Sequence, residues 1–178
     1  LKAVEMLAHP PAGPEREGAD DEKDIWLLLS KFNYPSIIDT VTSFCLYEIM
    51  ALFNAQHDLP ALAAHLHAQP DALLIACFCA QWCKTCQQYQ PAFEALAAQF
   101  PQACLVWIDI EEQPDLLGDE DIEDFPTIQI QNKNGTVFYG PMLPHIEHLE
   151  RLVQSISERS PVLNAGPGDL RALVAAAA

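Results

Sequence analysis

The sequence predicts an α/β fold, a mixed central sheet flanked by helices on both faces, and three observations carry that prediction. First, Leu73-Leu-Ile-Ala-Cys-Phe-Cys79 and Cys104-Leu-Val-Trp-Ile-Asp-Ile110 are short apolar runs without helical period, as expected of strands covered on both faces. Second, apolar residues around these runs recur at spacings of three and four, the pattern of helices that bury one side. Third, residues 125–130 and 135–139 flank the turn Lys133-Asn134-Gly135 and read as a hairpin. The resulting order is helix, strand, helix, strand, connection, hairpin, helix, which requires both parallel and antiparallel neighbours in one sheet.

Taken in order, residues 1–24 mix Pro, Gly, Ala and charge, with too little apolar content to order themselves, and are expected as a flexible arm. Residues 25–49 form a helical N-terminal extension, with Ile37, Ile38, Val41, Phe44, Cys45 and Ile49 as its stripe and Pro35-Ser36 as its start. The main domain spans residues 50–158. Its first helix has Asp58 as a cap, Pro60 in the first turn, and Leu59, Leu62 and Leu66 inside, and it stops near Pro70. A long helix is expected over residues 83–100, with Tyr89, Phe93, Leu96, Ala97 and Phe100 on one face and a kink at Pro91. Residues 111–124 hold many acids and no Lys or Arg, as in a solvated connection. Ile146, Leu149, Leu152, Val153 and Ile156 mark the last helix. Residues 159–178 form a tail whose short helix, residues 169–176, has no assignable place.

Composition narrows the partners. Twenty-five acidic residues against nine basic ones give a net charge of −16, which disfavours nucleic acid and anionic membranes and favours a neutral or basic protein surface as partner. The most apolar window, residues 25–53, is broken by Lys31, Asn33, Pro35, Asp39 and Glu48 and does not read as a membrane span. No signal peptide is visible, and four of the six cysteines (positions 45, 77, 79, 83, 86 and 104) fall within ten residues, unlike a stapled secreted domain. A cytoplasmic location is the expectation, although the chain starts at Leu, which leaves a processed or truncated precursor open.

Cys83 and Cys86 carry the chemistry. Two cysteines two residues apart at the start of a helix can close a small disulfide loop and open it again with little backbone movement. Cys83 falls at the helix amino terminus, where unsatisfied N–H groups favour a thiolate, and Cys86 lies one turn inside, shielded and suited to resolve a mixed disulfide. The same spacing also occurs at metal sites. Cys77, Cys79, Cys83 and Cys86 together make an alternative zinc or iron-sulfur set, disfavoured because strand burial is expected to turn Cys77 and Cys79 into the core and away from the pair. Cys45 and Cys104 read as small apolar fillers. The histidines at 57, 65, 67, 145 and 148 read as surface or helix-face residues.

From about Met50 to Ser157 the chain resembles the thioredoxin family. The resemblance rests on Trp82 before the Cys-x-x-Cys, on Pro91 five residues after Cys86, on Ile108-Asp-Ile110, on Gln113-Pro114, and on Phe125-Pro126-Thr127, all in family order. It implies a thioredoxin-like fold with an N-terminal extension, a redox-active Cys83–Cys86 disulfide, and no metal or other cofactor. It also implies that Pro126 is a cis-proline beside the disulfide and that Trp82, Phe125, Pro126 and Thr127 meet the substrate, Phe125 through strand addition. Protein disulfides would be the substrates, and a reductase or small thiol the electron donor.

Two departures concern proton transfer. Cys77 stands where thioredoxins carry a buried Asp, and Trp107 where they often carry a nearby lysine. A buried carboxylate costs several kcal/mol unless paired, so losing both groups together is self-consistent. The expected consequence is slower or water-dependent resolution by Cys86, since a buried thiol accepts a proton poorly. A third departure is Lys84-Thr85 between the cysteines, where a cation beside the nucleophile favours a more oxidising pair, while the acids at 119–124 act against it. Three functions stay open on this basis: a disulfide reductase, the same chemistry run as an oxidase or isomerase, and a thioredoxin-fold adaptor with the dithiol as a redox switch.

Overall fold

A computed structural model of the chain describes residues 51–178. The arm at 1–24, the helical stripe at 25–49 and Cys45 lie outside the described residues. Five strands form one sheet: β1 (Leu52–Asn54), β2 (Leu73–Cys79), β3 (Ala103–Asp109), β4 (Thr127–Asn132) and β5 (Gly135–Pro141). Their spatial order is β1-β3-β2-β4-β5, with β1, β3 and β2 parallel and β4 and β5 antiparallel to their neighbours. Among the described residues four α-helices accompany them, α1 (Ala55–Ala68), α2 (Lys84–Leu96), α3 (Ile146–Ser155) and α4 (Leu170–Ala177).

Alternation along the strands divides the interior into two layers. Ile75, Cys77 and Cys79 of β2 face α2 and α3, together with Leu105, Trp107, Ile128, Ile130, Phe93 and Leu149. Leu74, Ala76 and Phe78 face the other way, with Cys104, Val106 and Ile108, against Leu62 and Leu66 of α1 and Leu170 and Val174 of α4. The mixed sheet, the two-faced covering and β2 itself agree with the sequence reading.

Several elements differ from expectation. Strand β1 was not anticipated: it is three residues long and exists because Leu52, Phe53 and Asn54 pair with Leu105, Val106 and Trp107. Helix α1 starts earlier than Asp58, since Asn54 is its N-cap and accepts the Gln56 N–H. Asp58 caps from within, accepting the Asn54 N–H at 2.9 Å, and Pro60 lies inside the helix. The regular part of α2 ends at Leu96, before Phe100. The acidic connection is anchored rather than wholly solvated, because Leu116 in a 3-10 turn (Pro114–Leu116) and Ile122 are buried.

Helix α4 answers the open question of the C-terminal segment. Asp169 caps it, and Leu170 and Val174 are fully buried against the α1 side of the sheet. The segment before it is tied to the hairpin: the carbonyl of Gly168 accepts the side-chain amides of Gln129 at 3.0 Å and Gln131 at 2.7 Å. Both glutamines are buried in β4 and also donate to the Thr136 hydroxyl.

Candidate redox site

The site forms where the carboxyl end of β2 meets the amino end of α2. Cys83 is the N-cap of α2, and its sulfur accepts the Cys86 N–H at 3.3 Å, which is the arrangement that favours negative charge on a capping atom. Cys83 is 9% exposed, whereas Cys86, one turn further along, is 1% exposed. Lys84 projects into solvent and Thr85 is half-buried, so the residues between the cysteines form the rim.

The disulfide in this structure joins Cys79 to Cys86, with the Cα atoms 6.0 Å apart, and Cys83 is a free thiol. This corrects two expectations. The bond is not the Cys83–Cys86 pairing that the resemblance implied, and Cys79 does not point away from the pair. The reason is the fold: the sheet face that carries Cys77 and Cys79 is the face on which α2 packs, so the core and the back wall of the site are one surface. The sulfur of Cys77 lies 4.0 Å from that of Cys79.

Cys77 is wholly buried, and burial, followed by the nearby Cys83 sulfur, pushes its thiol well above the ordinary value. It is directly opposite Trp107 in the β2–β3 register, and the Trp107 ring packs edge-on against Phe93 at 5.8 Å. The Asp-and-lysine arrangement is thus replaced by a thiol and an aromatic ring. A cavity of 180 Å³ opens behind Cys86, with Trp107, Asp109, Glu112 and Gln90 in its wall.

Phe125–Pro126 is a cis peptide bond, as expected, and Pro126 is buried. Trp82 is 64% exposed, packs edge-on against Phe125 with ring centroids 5.6 Å apart, and donates its indole N–H to Glu111 at 3.0 Å. Thr127 is buried and its hydroxyl donates to the Asp124 carbonyl, so its side chain braces the turn rather than facing outward. Trp82, next to Cys83 in the chain, and Phe125 thus form one aromatic pair, with Pro126 following Phe125 through the cis bond.

Sequence reasoning missed the role of Cys79 as a partner of Cys86. The signal was present in the alternation, since Cys77 and Cys79 must share a face. Among the described residues no group of three or more His, Cys, Asp or Glu side chains is placed to hold a metal ion. His145 and His148 meet edge to face, with ring centroids 5.6 Å apart.

A model of the thioredoxin family matches residues 61–155, just over half of the chain. The chain belongs to the thioredoxin family. It is 28% identical over 80 residues to a thioredoxin of Ophiophagus hannah, a stretch that covers 45% of this chain and 76% of that one. It is 34% identical over 64 residues to putative thioredoxin 2 of Streptomyces coelicolor, covering 36% and 48% of the two chains. With thioredoxin-1 of Saccharomyces cerevisiae the identity is 32% over 65 residues, covering 36% and 62%. The matched stretch thus falls short of two thirds of the latter two relatives. Thioredoxin of Schistosoma mansoni superposes with a TM-score of 0.51 at 21% identity, covering 61% of this chain and 98% of that one. Thioredoxin NaTrxh of Nicotiana alata gives 0.51 at 19%, covering 61% and 94%. These two likenesses bear on the fold.

The family, the thioredoxin fold and a cysteine pair at bonding distance support a thiol-disulfide oxidoreductase that works through its own cysteines. No helix among the described residues is long and apolar enough to cross a membrane.

Proposed function

We propose that the chain reduces protein disulfides with Cys83 as nucleophile and Cys86 as resolving thiol. The observation that carries this reading is the position of Cys83: N-cap of α2, hydrogen-bonded by the Cys86 N–H, and next to the exposed Trp82, which packs against the half-buried Phe125. The Cys83 thiolate attacks one sulfur of the substrate disulfide and the other leaves as a thiolate. Cys86 then attacks the Cys83 sulfur, the substrate's remaining sulfur leaves with the electron pair, and Cys83–Cys86 is formed. Two electrons pass from the dithiol to the substrate, and the two protons the dithiol loses match the two that the substrate thiols gain. An external dithiol or reductase returns the electrons.

Resolution requires Cys86 to lose its proton. Cys77 is a poor acceptor because burial holds its own thiol protonated. The cavity that Cys86 lines lets water come near this residue, which supports a water-dependent step. On the substrate side, the indole of Trp82 brings the Glu111 carboxylate to the rim, and Glu112, Asp115 and Asp119 follow on the same connection. This charge favours neutral or basic segments around the target disulfide.

The direction of exchange depends on opposing rim charges worth about 1 kcal/mol or less each at surface dielectric. The reduction potential of the pair, measured in dithiothreitol and glutathione buffers in Cys79→Ser, which confines the couple to Cys83 and Cys86, with Cys86→Ser as control, tests it. A value near about −270 mV supports the reductase, whereas one of about −180 to −120 mV replaces it by an oxidase or isomerase. Absence of any reversible two-electron couple would leave the adaptor reading.

A further inference from the structure

We propose that Cys79 is a third redox-active thiol of this site, which takes the disulfide from Cys83 by exchange at the sulfur of Cys86. The inference rests on the chemistry proposed above for Cys83 and Cys86.

Geometry places two partners within reach of one sulfur. Cys86 is bonded to Cys79 at a Cα separation of 6.0 Å, within the ordinary range of about 4.4–6.8 Å. Cys83 stands three residues before Cys86 in the first turn of α2, and its sulfur accepts the Cys86 backbone N–H at 3.3 Å. Cys79 is fixed by the ladder of β2, where it pairs with Asp109 and its carbonyl accepts the Ile110 N–H, and Cys86 is fixed in the first turn of α2.

The step conserves electrons. Starting from Cys83–Cys86, the Cys79 thiolate attacks the Cys86 sulfur, the Cys83–Cys86 bond breaks, and its electron pair goes to the Cys83 sulfur. A Cys79–Cys86 bond replaces a Cys83–Cys86 bond, and one proton moves from Cys79 through solvent to the pool that equilibrates with Cys83. No oxidant or reductant is consumed. The leaving sulfur is the helix N-cap, where the N–H groups of the first turn receive negative charge, and the attacking sulfur is one that is 1% exposed. Exchange runs toward the better leaving thiolate, so these surroundings drive the disulfide inward.

The consequence is a change in what the oxidised protein can do. An ordinary dithiol site is spent once its two cysteines are joined. Here the oxidised chain keeps Cys83 as a free thiol, the most exposed of the three sulfur-bearing residues at 9% against 1% for Cys79 and Cys86, as in the present structure. That thiol can attack a further disulfide, but its resolving partner is occupied, so the mixed disulfide persists. Oxidation thereby converts a two-cysteine reductant into a one-cysteine site that retains its substrate.

The test uses the full chain. Reduced protein is treated with a single equivalent of diamide, quenched in acid, blocked with N-ethylmaleimide while denatured, and its peptides mapped by mass spectrometry. The expected result is a peptide linking Cys79 to Cys86, with N-ethylmaleimide on Cys83. In Cys79→Ser, and in Cys79→Ala should the serine variant not fold, the label on Cys83 is lost and only the Cys83–Cys86 peptide remains. Oxidised wild-type protein containing only the Cys83–Cys86 link overturns the inference. Turnover of a protein disulfide by the wild type, measured in parallel, separates the two failures: turnover with that single link leaves the proposed function standing, whereas turnover that survives Cys83→Ser removes the proposed function itself.

Discussion

Raising the pH from 8 to 10 will weaken the fold through two buried thiols on opposite faces of the sheet. Cys104 lies in the layer under α1 and α4, and Cys77 in the layer under α2 and α3. Burial pushes the Cys104 thiol from 9.0 up to about 12, with the Arg171 guanidinium opposing it in part, and burial drives Cys77 well above 9.0 as well. In the unfolded chain both thiols ionise near the ordinary value. The folded state therefore holds protons that the unfolded state releases, so stability is complete below pH 9 and falls as the pH rises toward the folded values. Integrated to pH 10, Cys104 removes about 1 to 2 kcal/mol, and Cys77 acts in the same direction. Set against a typical domain stability of about 5–15 kcal/mol, the Cys104 contribution alone is a measurable part of the whole.

Urea midpoints in dithiothreitol at pH 8 and pH 10, for the wild type and Cys104→Ala, check this. The variant starts from a lower stability at pH 8 because a packed sulfur is gone. Its further loss on going to pH 10 is smaller than that of the wild type by about 1 to 2 kcal/mol. Equal losses in the two proteins would refute the reasoning.

Two other outcomes follow from the packing and the site. Leu170→Ala, at a fully buried position of α4, destabilises the chain by about 2–5 kcal/mol in urea denaturation, and a loss well below that range would mean that α4 rests on the sheet without being part of its core. Resolution of a trapped Cys83 mixed disulfide, followed by rapid acid quench across pH, rises with a single thiol ionisation and shows no carboxylate titration. A second, carboxylate-type inflection would instead assign proton transfer to Asp109 or Glu112, which stand in the wall of the cavity behind Cys86.

How far the sequence could be read depended on whether a signal was local. Strand β2 was legible residue for residue because its apolar run is bounded by Pro70-Asp71 on one side and Trp82-Cys83 on the other. The hairpin was legible because Asn134-Gly135 fixes the turn, and Cys83 as a helix start was legible from the same kind of boundary. Strand β1 was not, because Leu52–Asn54 has too few residues to show a period and becomes a strand only by pairing with residues about fifty positions later. The seat of α4 was equally hidden: Leu170 and Val174 announce a buried face, but nothing near them says which surface buries it. Cys79 was misread for a different reason. Its burial was read as separation from the site, whereas the face that buries it is the one against which the site is built.

The shared carbonyl of Gly168 bears on where this protein can be shortened. A chain ending at residue 155, where the family match ends, looks complete by its motifs and keeps every cysteine of the site. It would nevertheless leave the amides of Gln129 and Gln131 with the Thr136 hydroxyl as their one remaining shared acceptor, inside a strand that borders β2. The Ala72 carbonyl, which precedes β2 and accepts from the Arg171 guanidinium, would lose its partner too. β2 ends at Cys79, so trimming the last two dozen residues loosens the strand that holds one end of the disulfide.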